Sequence, residues 1–223
     1  MGSRLDEHFE KLYADDTGAD GIMIAMKIIL ASASPRRKEL LGLITKDFGI
    51  VTREVDERAV EQQVKQRGGD AVMIQCELSR AKACAVYDGI PAEERGNVVV
   101  IGADTAVVCG DEIMGKPEDK EDARRMLTML SGRTHEVITG VCVKTLDSEV
   151  VFTETTKVRF GDLDEFQKDL IERYINTGEP YDKAGAYGIQ EGGALLVDTV
   201  EGDYFNVVGL PVRRLSQILS QFR

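Results

Sequence analysis

The order of apolar and polar residues predicts a body that alternates strands with helices. A near-continuous apolar run over 97–103 is typical of a strand buried on both faces. Over 70–87, apolar residues recur at every third or fourth position, which is the spacing of one helix face. Two short apolar segments flank the Gly110-Asp111 pair, which predicts a hairpin. Buried strands and hairpin strands are therefore expected beside amphipathic helices.

The remaining elements follow from the same patterns. Further strands are predicted at 27–32, about 48–53, about 134–146, 149–159 and 194–200. Further helices are predicted from residue 36 to about 43, over 119–130 and 164–175, and after Pro211, a favourable residue for a first helical turn. The segment 56–67 mixes acidic and basic residues and carries no element prediction. Hairpins combined with strand–helix units predict the α/β class, with a mixed central sheet rather than a purely parallel one.

Residues 1–25 differ from the rest of the chain. They are acidic, contain Gly18 and Gly21, and lack a sustained apolar period, which predicts a flexible N-terminal extension. The opening residues show no secretory signal pattern. The length of 223 residues fits one large domain or two small lobes, and we expect a single domain over 26–223.

The charge balance limits the range of partners. Lys and Arg together number 28 and Asp and Glu 39, so the net charge is −11. Such an acidic protein is a poor candidate for wrapping a nucleic-acid polymer or lying on an anionic membrane. The hydrophobic share of 43% is enough for a sizeable core. No apolar run approaches the roughly 18 residues that a membrane helix needs.

The four cysteines predict a reducing compartment. Cys76, Cys84, Cys109 and Cys142 form no C-x-x-C pair and have no nearby histidine to complete a zinc pattern. Each lies in a segment with a regular apolar pattern, so we expect buried, reduced thiols rather than a disulfide framework. This usage favours a cytoplasmic protein.

The segment 31–37 carries the first candidate chemistry. Ser34 is a natural N-cap and Pro35 a natural first helical residue, so a strand leads directly into a helix N-terminus. Free backbone N–H groups and the positive end of the helix dipole favour an anion there. Arg36 and Arg37 add bidentate donors for phosphate. The alternative interpretation is an ordinary capped helix with two solvated arginines.

Charged residues at four other positions are further candidates. Asp104 follows the apolar run, and because Asp is disfavoured within strands we expect it at a strand end, where it could bind a metal or activate water. Lys116 follows Gly115 at the end of the hairpin strand. Glu57 is a weaker candidate for a metal ligand, and Lys82 lies beside the apolar stripe of its helix. Each of the four could instead be a turn or surface charge.

The glycine-rich stretch 180–190 could bring the backbone close to a ligand. Its last residue, Gln190, offers both a donor and an acceptor, although the stretch could also be only a loop. The G-x-G-x-x-G fingerprint is absent from the sequence, which counts against NAD or FAD. His135 is the one histidine of the predicted body, and no Ser–His–Asp or Cys–His arrangement is apparent, so we expect it to be structural.

Taken together, six segments resemble the Maf family of nucleoside triphosphate pyrophosphatases over 27–222. They are SASPRR at 32–37, GADT at 102–105, GKP at 115–117, LSGRTH at 130–135, DKAGAYGIQ at 182–190 and VGLP at 208–211. The resemblance implies hydrolysis between the α- and β-phosphates of a nucleoside triphosphate, giving a monophosphate and pyrophosphate. It also implies a divalent metal, Mg²⁺ or Mn²⁺, and two lobes around a deep groove, as in the inosine triphosphate pyrophosphatases. A homodimer is plausible by the same resemblance.

The resemblance assigns roles to residues that match its motifs. Asp104 matches the proton acceptor that activates water, and Glu57 and Asp104 match metal-binding positions. The positions implied to bind the substrate are Ser32, Arg36, Arg37, Lys82, Thr105, Lys116, Lys183 and Gln190. Their cations would form a local basic groove within an acidic protein.

The KAGAYGIQ string is similar to the dTTP/UTP branch of the family, and Arg36, Thr105 and Gln190 match its specificity positions. An amide at Gln190 can pair with both the N–H and the C=O of a uracil or thymine edge. The implied role is house-cleaning of dTTP, UTP or modified pyrimidine triphosphates. Two alternatives stay open: the same cleavage with a preference for modified purines, and a nucleotide-binding regulator of cell division or septum formation.

Overall fold

A seven-stranded mixed sheet forms the centre of the computed structural model, which describes residues 26–222. In chain order the strands are β1 (Lys27–Leu30), β2 (Gly49–Ile50), β3 (Val98–Cys109), β4 (Glu112–Met114), β5 (Thr134–Lys144), β6 (Glu149–Phe160) and β7 (Val197–Glu201). Their order across the sheet is β2-β1-β3-β5-β6-β7, with β4 paired to β3. β1 is parallel to β2 and β3, and the other pairs are antiparallel. The predicted α/β class with a mixed sheet is confirmed.

Helices flank this sheet and begin mostly at side-chain caps. They are α1 (Pro35–Leu41), α2 (Glu57–Gln66), α3 (Ala71–Asp88), α4 (Lys120–Leu130), α5 (Glu165–Ile175), α6 (Tyr204–Val208) and α7 (Val212–Leu219). The caps are Ser34, Asp56, Asp70, Asp119, Asp164 and Asp203. Each cap oxygen accepts a hydrogen bond from a backbone N–H of the first turn, which would otherwise lack a partner.

β3 extends further than the sequence predicts. Its antiparallel pairing with β5 continues from Val100 through Val108, whereas β1 pairs with it only as far as Ile101. Asp104 therefore lies within one continuous strand, opposite Gly140, and the prediction of a strand end is wrong. The backbone ladder to β5 outweighs the weak preference of Asp against strands. Because β1 has already ended, it does not cover the edge of β3 beside Asp104.

The sequence patterns do not predict α2 and α6. α2 forms over the mixed-charge segment 56–67, where an aspartate caps it and where Val60 and Val64 pack against α3. α6 has only 5 residues, too few for a helical period to show. β7 begins later than predicted because a 3₁₀ turn (Gly192–Leu196) precedes it.

α3 packs very closely against the sheet at two glycines. A Cβ at Gly102 of β3 would lie 2.2 Å from the Ser79 carbonyl oxygen, and a Cβ at Gly140 of β5 would lie 2.2 Å from the Gln75 carbonyl oxygen. Both distances are far inside van der Waals contact, so only glycine allows the helix to approach this closely. The approach brings Lys82, one turn beyond Ser79, over β3.

The apolar core of the described residues is divided into four clusters. One cluster contains Leu127 and Phe160 and includes residues of α4 and α5. Another contains Leu41 and Leu215 and includes residues of α1 and α7.

The four cysteines are free, but they are not equally buried. Cys109 and Cys142 lie in the sheet and are buried, whereas Cys76 and Cys84 are half-buried. The expectation of buried thiols is therefore wrong for the last two, because they lie on a flank of α3 that the sheet does not fully cover.

The division of the chain into an extension and a single domain stays a prediction. Residues 1–25, the predicted flexible extension, lie outside the described residues. Among the residues that the structure does describe, no helix combines the length and apolarity needed to cross a membrane.

Candidate active site

A groove of about 880 Å³ lies beside the part of β3 that continues past β1. Residues of α1, α2, α3, β3, β4 and the glycine-rich stretch line it. The predicted site residues all lie along it: Ser32, Arg36, Arg37, Glu57, Lys82, Asp104, Thr105, Lys116, Lys183 and Gln190. Positions that are far apart in the sequence therefore converge on one cavity.

Lys82 joins the two predicted metal-binding carboxylates. Its Nζ lies 2.5 Å from Asp104 Oδ1 and 2.8 Å from Glu57 Oε1. The side chains of Lys82 and Asp104 are 18% and 17% exposed, so their contact is partly shielded from water. Within residues 26–222, Asp104 Oδ2 has no hydrogen-bond partner. That oxygen is free to accept a proton or to bind a cation.

Glu57, Lys82 and Asp104 form what we call the Lys82 centre. Its two carboxylates fit a divalent cation whose remaining ligands are water and substrate. Within the described chain, no group of three or more His, Cys, Asp or Glu side chains could hold a metal ion. Mg²⁺ in phosphate-handling enzymes is commonly bound by one or two carboxylates together with waters and substrate phosphates. Glu57 and Asp104 match that mode, because the carboxylates both contact Lys82 Nζ and therefore lie close to each other in the groove.

The hydrogen bonds of Arg37 are directed into the protein itself. Its Nε donates to Gly209 O at 2.9 Å, and its Nη1 donates to Ala103 O at 2.9 Å and to Ser32 Oγ at 3.4 Å. Its Nη2 donates to Thr105 Oγ1 at 2.9 Å. Four of the five guanidinium N–H groups are thus used. Bidentate phosphate binding by Arg37 would require at least one of these bonds to break.

The surroundings of Arg37 also change its pKa. Desolvation is the main cause that lowers the pKa of this guanidinium, and the positive charge of Arg36 acts in the same direction. The negative charges of Asp104 and Glu57 raise it, but they offset only part of the effect. Because a guanidinium stays protonated in proteins, Arg37 is a fixed positive charge beside Asp104.

A chain of ion pairs links α1 to the glycine-rich stretch. Arg36 Nη1 lies 3.2 Å from Asp182 Oδ2, and Lys183 Nζ lies 2.7 Å from Asp182 Oδ1. Lys183, only 6% exposed, also contacts Glu191 Oε2 at 2.8 Å and donates to Glu179 O at 2.6 Å. Burial raises the pKa of Asp182, but the hydrogen bond from Lys183 and the charge of Arg36 outweigh it, so the pKa lies below its usual value. Both cations therefore have carboxylate partners within the protein.

Lys116 and Gln190 differ from these paired residues. Both are exposed and line the groove, and neither makes a hydrogen bond or ion pair within the part of the chain that the structure describes. Thr105, in contrast, accepts a hydrogen bond from Arg37, and its Oγ1 lies 2.9 Å from Thr139 Oγ1. The ammonium of Lys116 and the amide of Gln190 are thus the free polar groups among the predicted substrate-binding residues.

His135 is a structural residue, as predicted. Its Nε2 lies 2.8 Å from Tyr187 Oη, and its ring packs edge-on against Phe160 with a centroid distance of 5.1 Å. Burial lowers the pKa of His135 to about 4, so the ring is neutral at neutral pH. It supports Tyr187, which lines the groove, and has no contact with the centre around Lys82.

The polar residues of the groove that sequence reasoning missed include Asp182, Glu191 and Gln75. Asp182 and Glu191 form ion pairs with Lys183 of the glycine-rich stretch. Gln75 lines the groove from α3, and its signal was visible in the sequence. It lies three residues before Leu78 and seven before Lys82, which is the spacing of one helix face.

The fold and the groove together define an α/β protein with a cleft in which cations surround a pair of carboxylates. Over residues 27–222 the chain matches the model of the family described as "Maf-like protein". The match spans nearly all of the described residues, and the chain belongs to this family.

Several named bacterial proteins are similar to this chain over most of their own length. A protein named dTTP/UTP pyrophosphatase from Thermosipho africanus is 49% identical over 195 residues, covering 87% of this chain and 92% of the relative. Proteins with the same name from Bacillus velezensis and Acetivibrio thermocellus are 45% and 49% identical, each over 88% of this chain and 96% of the relative. Among solved structures, the Ham1 protein of Staphylococcus aureus aligns with a TM-score of 0.42 and 16% identity over 61% of this chain and 72% of that chain, which is too loose a likeness to decide the fold.

Proposed function

We propose that this chain hydrolyses dTTP and UTP to the nucleoside monophosphate and pyrophosphate, as a house-cleaning enzyme of the cytoplasm. The observation that carries the proposal is the centre formed by Lys82, Glu57 and Asp104 in a groove lined by further cations. The designation of the relatives as dTTP/UTP pyrophosphatases supports the same substrates.

The reaction needs a base, a source of positive charge and a leaving group. A water oxygen would form a bond to the α-phosphorus while its proton passes to Asp104 Oδ2, and the bond from the α-phosphorus to the bridging oxygen would break. Pyrophosphate then leaves with the electron pair of that bond. The free ammonium of Lys116 would stabilise the negative charge that spreads over the phosphate oxygens.

Mg²⁺ or Mn²⁺ would be held by Glu57 and Asp104. The cation would supply charge neutralisation at the phosphate oxygens, with the substrate and water completing its coordination. Lys82 contacts both carboxylates and holds them next to each other. In this proposal it positions the two ligands, and its ammonium adds to the cations that bind the substrate phosphates.

Gln190 supports the preference for uracil and thymine. Its amide is exposed in the groove, so both its N–H donors and its carbonyl acceptor are free to pair with the N–H and C=O groups of the base edge. A carboxylate at this position would lack the donor.

The direct test is pyrophosphate release from a panel of pyrimidine and purine triphosphates with Mg²⁺, Mn²⁺ or EDTA. We expect rapid release from dTTP and UTP, slower release from purine nucleotides, and loss of activity with EDTA. Tight nucleotide binding without any pyrophosphate release would instead support a regulatory nucleotide-binding protein. A fastest reaction with a modified purine triphosphate would reassign the substrate.

The proposal includes a homodimer. Light scattering in solution is expected to give about twice the chain mass of 24.6 kDa. A value of one chain mass would remove this part and leave the enzymatic part unchanged.

A further inference from the structure

Gln75 presents a buried acceptor that nothing in the described chain satisfies. The residue is only 2% exposed, and its Oε1 has no hydrogen-bond partner. A buried carboxamide oxygen without a donor is costly, and most such atoms in native proteins are paired. Gln75 nevertheless lines the groove, and a half-turn about its terminal torsion exchanges Oε1 with Nε2, so that a ligand in the groove could supply the missing donor.

The chemistry of the orphaned atom excludes the phosphates as its partner. Phosphate oxygens accept hydrogen bonds, and Oε1 is itself an acceptor, so the two cannot pair. A nucleoside, in contrast, carries hydroxyl donors on its sugar besides the single base N–H that Gln190 is proposed to bind, and the 3′-hydroxyl is common to dTTP and UTP. The acceptor therefore points to the nucleoside part of the ligand.

The position of Gln75 agrees with this chemistry. It precedes Lys82 by seven residues on the same face of α3, so the two lie roughly 10 Å apart along the helix axis. Apolar side chains that line the same groove include Leu78, Val107 and Ile113. Apolar side chains beside a polar group suit a base or sugar, whereas the cations that line the groove suit the phosphates.

We propose that Gln75 is a further substrate-binding residue, whose Oε1 accepts a hydrogen bond from the nucleoside. The inference rests on the proposed function for the identity of the ligand. It adds a contact at the end of the groove away from the Lys82 centre.

The test uses Gln75→Met, which keeps the side-chain length and removes the acceptor. The matched control is Gln167→Met, because Gln167 is also buried but lies on α5 outside the groove and donates to Leu196 O. Calorimetry would measure Kd for the uncleavable α,β-imido analogues of dTTP, N3-methyl-dTTP and 3′-deoxy-dTTP, all of which lack a 2′-hydroxyl. Because it measures binding, this readout does not depend on turnover.

We expect Gln75→Met to weaken binding of the dTTP analogue by about two- to tenfold, with Gln167→Met unchanged. The penalty should vanish for the 3′-deoxy analogue, which identifies the 3′-hydroxyl as the donor. A penalty that vanishes only for the N3-methyl analogue would support the Gln75 contact but would remove the N3–H from Gln190. Thermal unfolding checks the fold: Gln75→Met should keep its Tm, since it removes an unpaired acceptor, whereas Gln167→Met should lower it.

An equal penalty with all three analogues, or no penalty with any, would overturn the proposal. Turnover of dTTP by the wild-type protein in parallel tests the proposed function separately. Absence of turnover with an analogue-specific binding penalty would refute the enzyme and leave the Gln75 contact standing.

Discussion

Asp104 and Thr105 are neighbours in β3, yet their side chains meet two different kinds of cation. Asp104 contacts Lys82, and this centre keeps an oxygen free of partners within the described residues. Thr105 contacts Arg37, whose N–H groups are almost all used by the protein. Because successive residues of a strand face opposite ways, one strand carries both arrangements side by side. The difference indicates that a side chain with an unpaired hydrogen-bonding atom, such as Asp104, is better placed to act on a substrate than a charged side chain whose bonds are all used within the protein.

The largest expected effect is on turnover and comes from substituting Asp104, whose Oδ2 has no partner within the described residues. Asp104→Asn should lower turnover of dTTP by about 10²–10⁴-fold, because an amide cannot accept the proton of the attacking water. Steady-state kinetics and Tm together measure it. Asp164→Asn is the matched control, since Asn also serves as an N-cap and Asp164 begins α5 outside the groove. Near-normal turnover of Asp104→Asn would remove Asp104 as the base.

The next effect is a loss of stability at acidic pH that is caused by the buried histidine His135, whose charge changes with pH whereas the charge of Arg37 does not. His135 has an unfolded pKa near 6.5 and a folded pKa of about 4, so the unfolded state binds a proton first as the pH falls. Stability should therefore fall between about pH 6.5 and 4, by about 3 kcal/mol from this group. Denaturant unfolding of wild type and His135→Gln across that range measures it. Parallel pH profiles of the two proteins would contradict the assignment.

A smaller effect should distinguish the two neighbouring arginines. Arg37→Met leaves Ala103 O and Gly209 O without a donor and should lower the free energy of unfolding by about 2 kcal/mol. Arg36→Met breaks one ion pair to an exposed carboxylate and should cost less than about 1 kcal/mol. Urea unfolding of both variants is the measurement. Equal losses would mean that the fold does not depend on Arg37 more strongly than on Arg36.

The smallest effect concerns base selection rather than turnover. Gln190→Glu should lower kcat/KM for UTP and dTTP by roughly tenfold without changing Tm, because the carboxylate cannot donate to the base carbonyl. Gln217→Glu, at an exposed position of α7, controls for the added charge. A triphosphate panel measures selectivity. An unchanged order of substrates would exclude Gln190 from recognition.

The sequence predicted which residues gather in the groove better than it predicted what each one contacts. Local motifs identified Asp104 and Arg37, and helical spacing placed Lys82 on α3. Arg37 bonds to carbonyl groups 66 and 172 residues away, and no local pattern reports such pairings. The same limit explains the error at Asp104: a residue preference was weighed without the partner strand, which lies more than thirty positions further along the chain.

The two glycines beneath α3 fix how closely this helix packs against the sheet. Neither Gly102 nor Gly140 is among the residues that line the groove, yet a single methyl group at either would push α3 outward and carry Lys82 away from Asp104. The distance between Lys82 and Asp104 thus depends on the absence of a Cβ at two positions outside the groove. Any redesign of the active site would have to keep glycine at both positions.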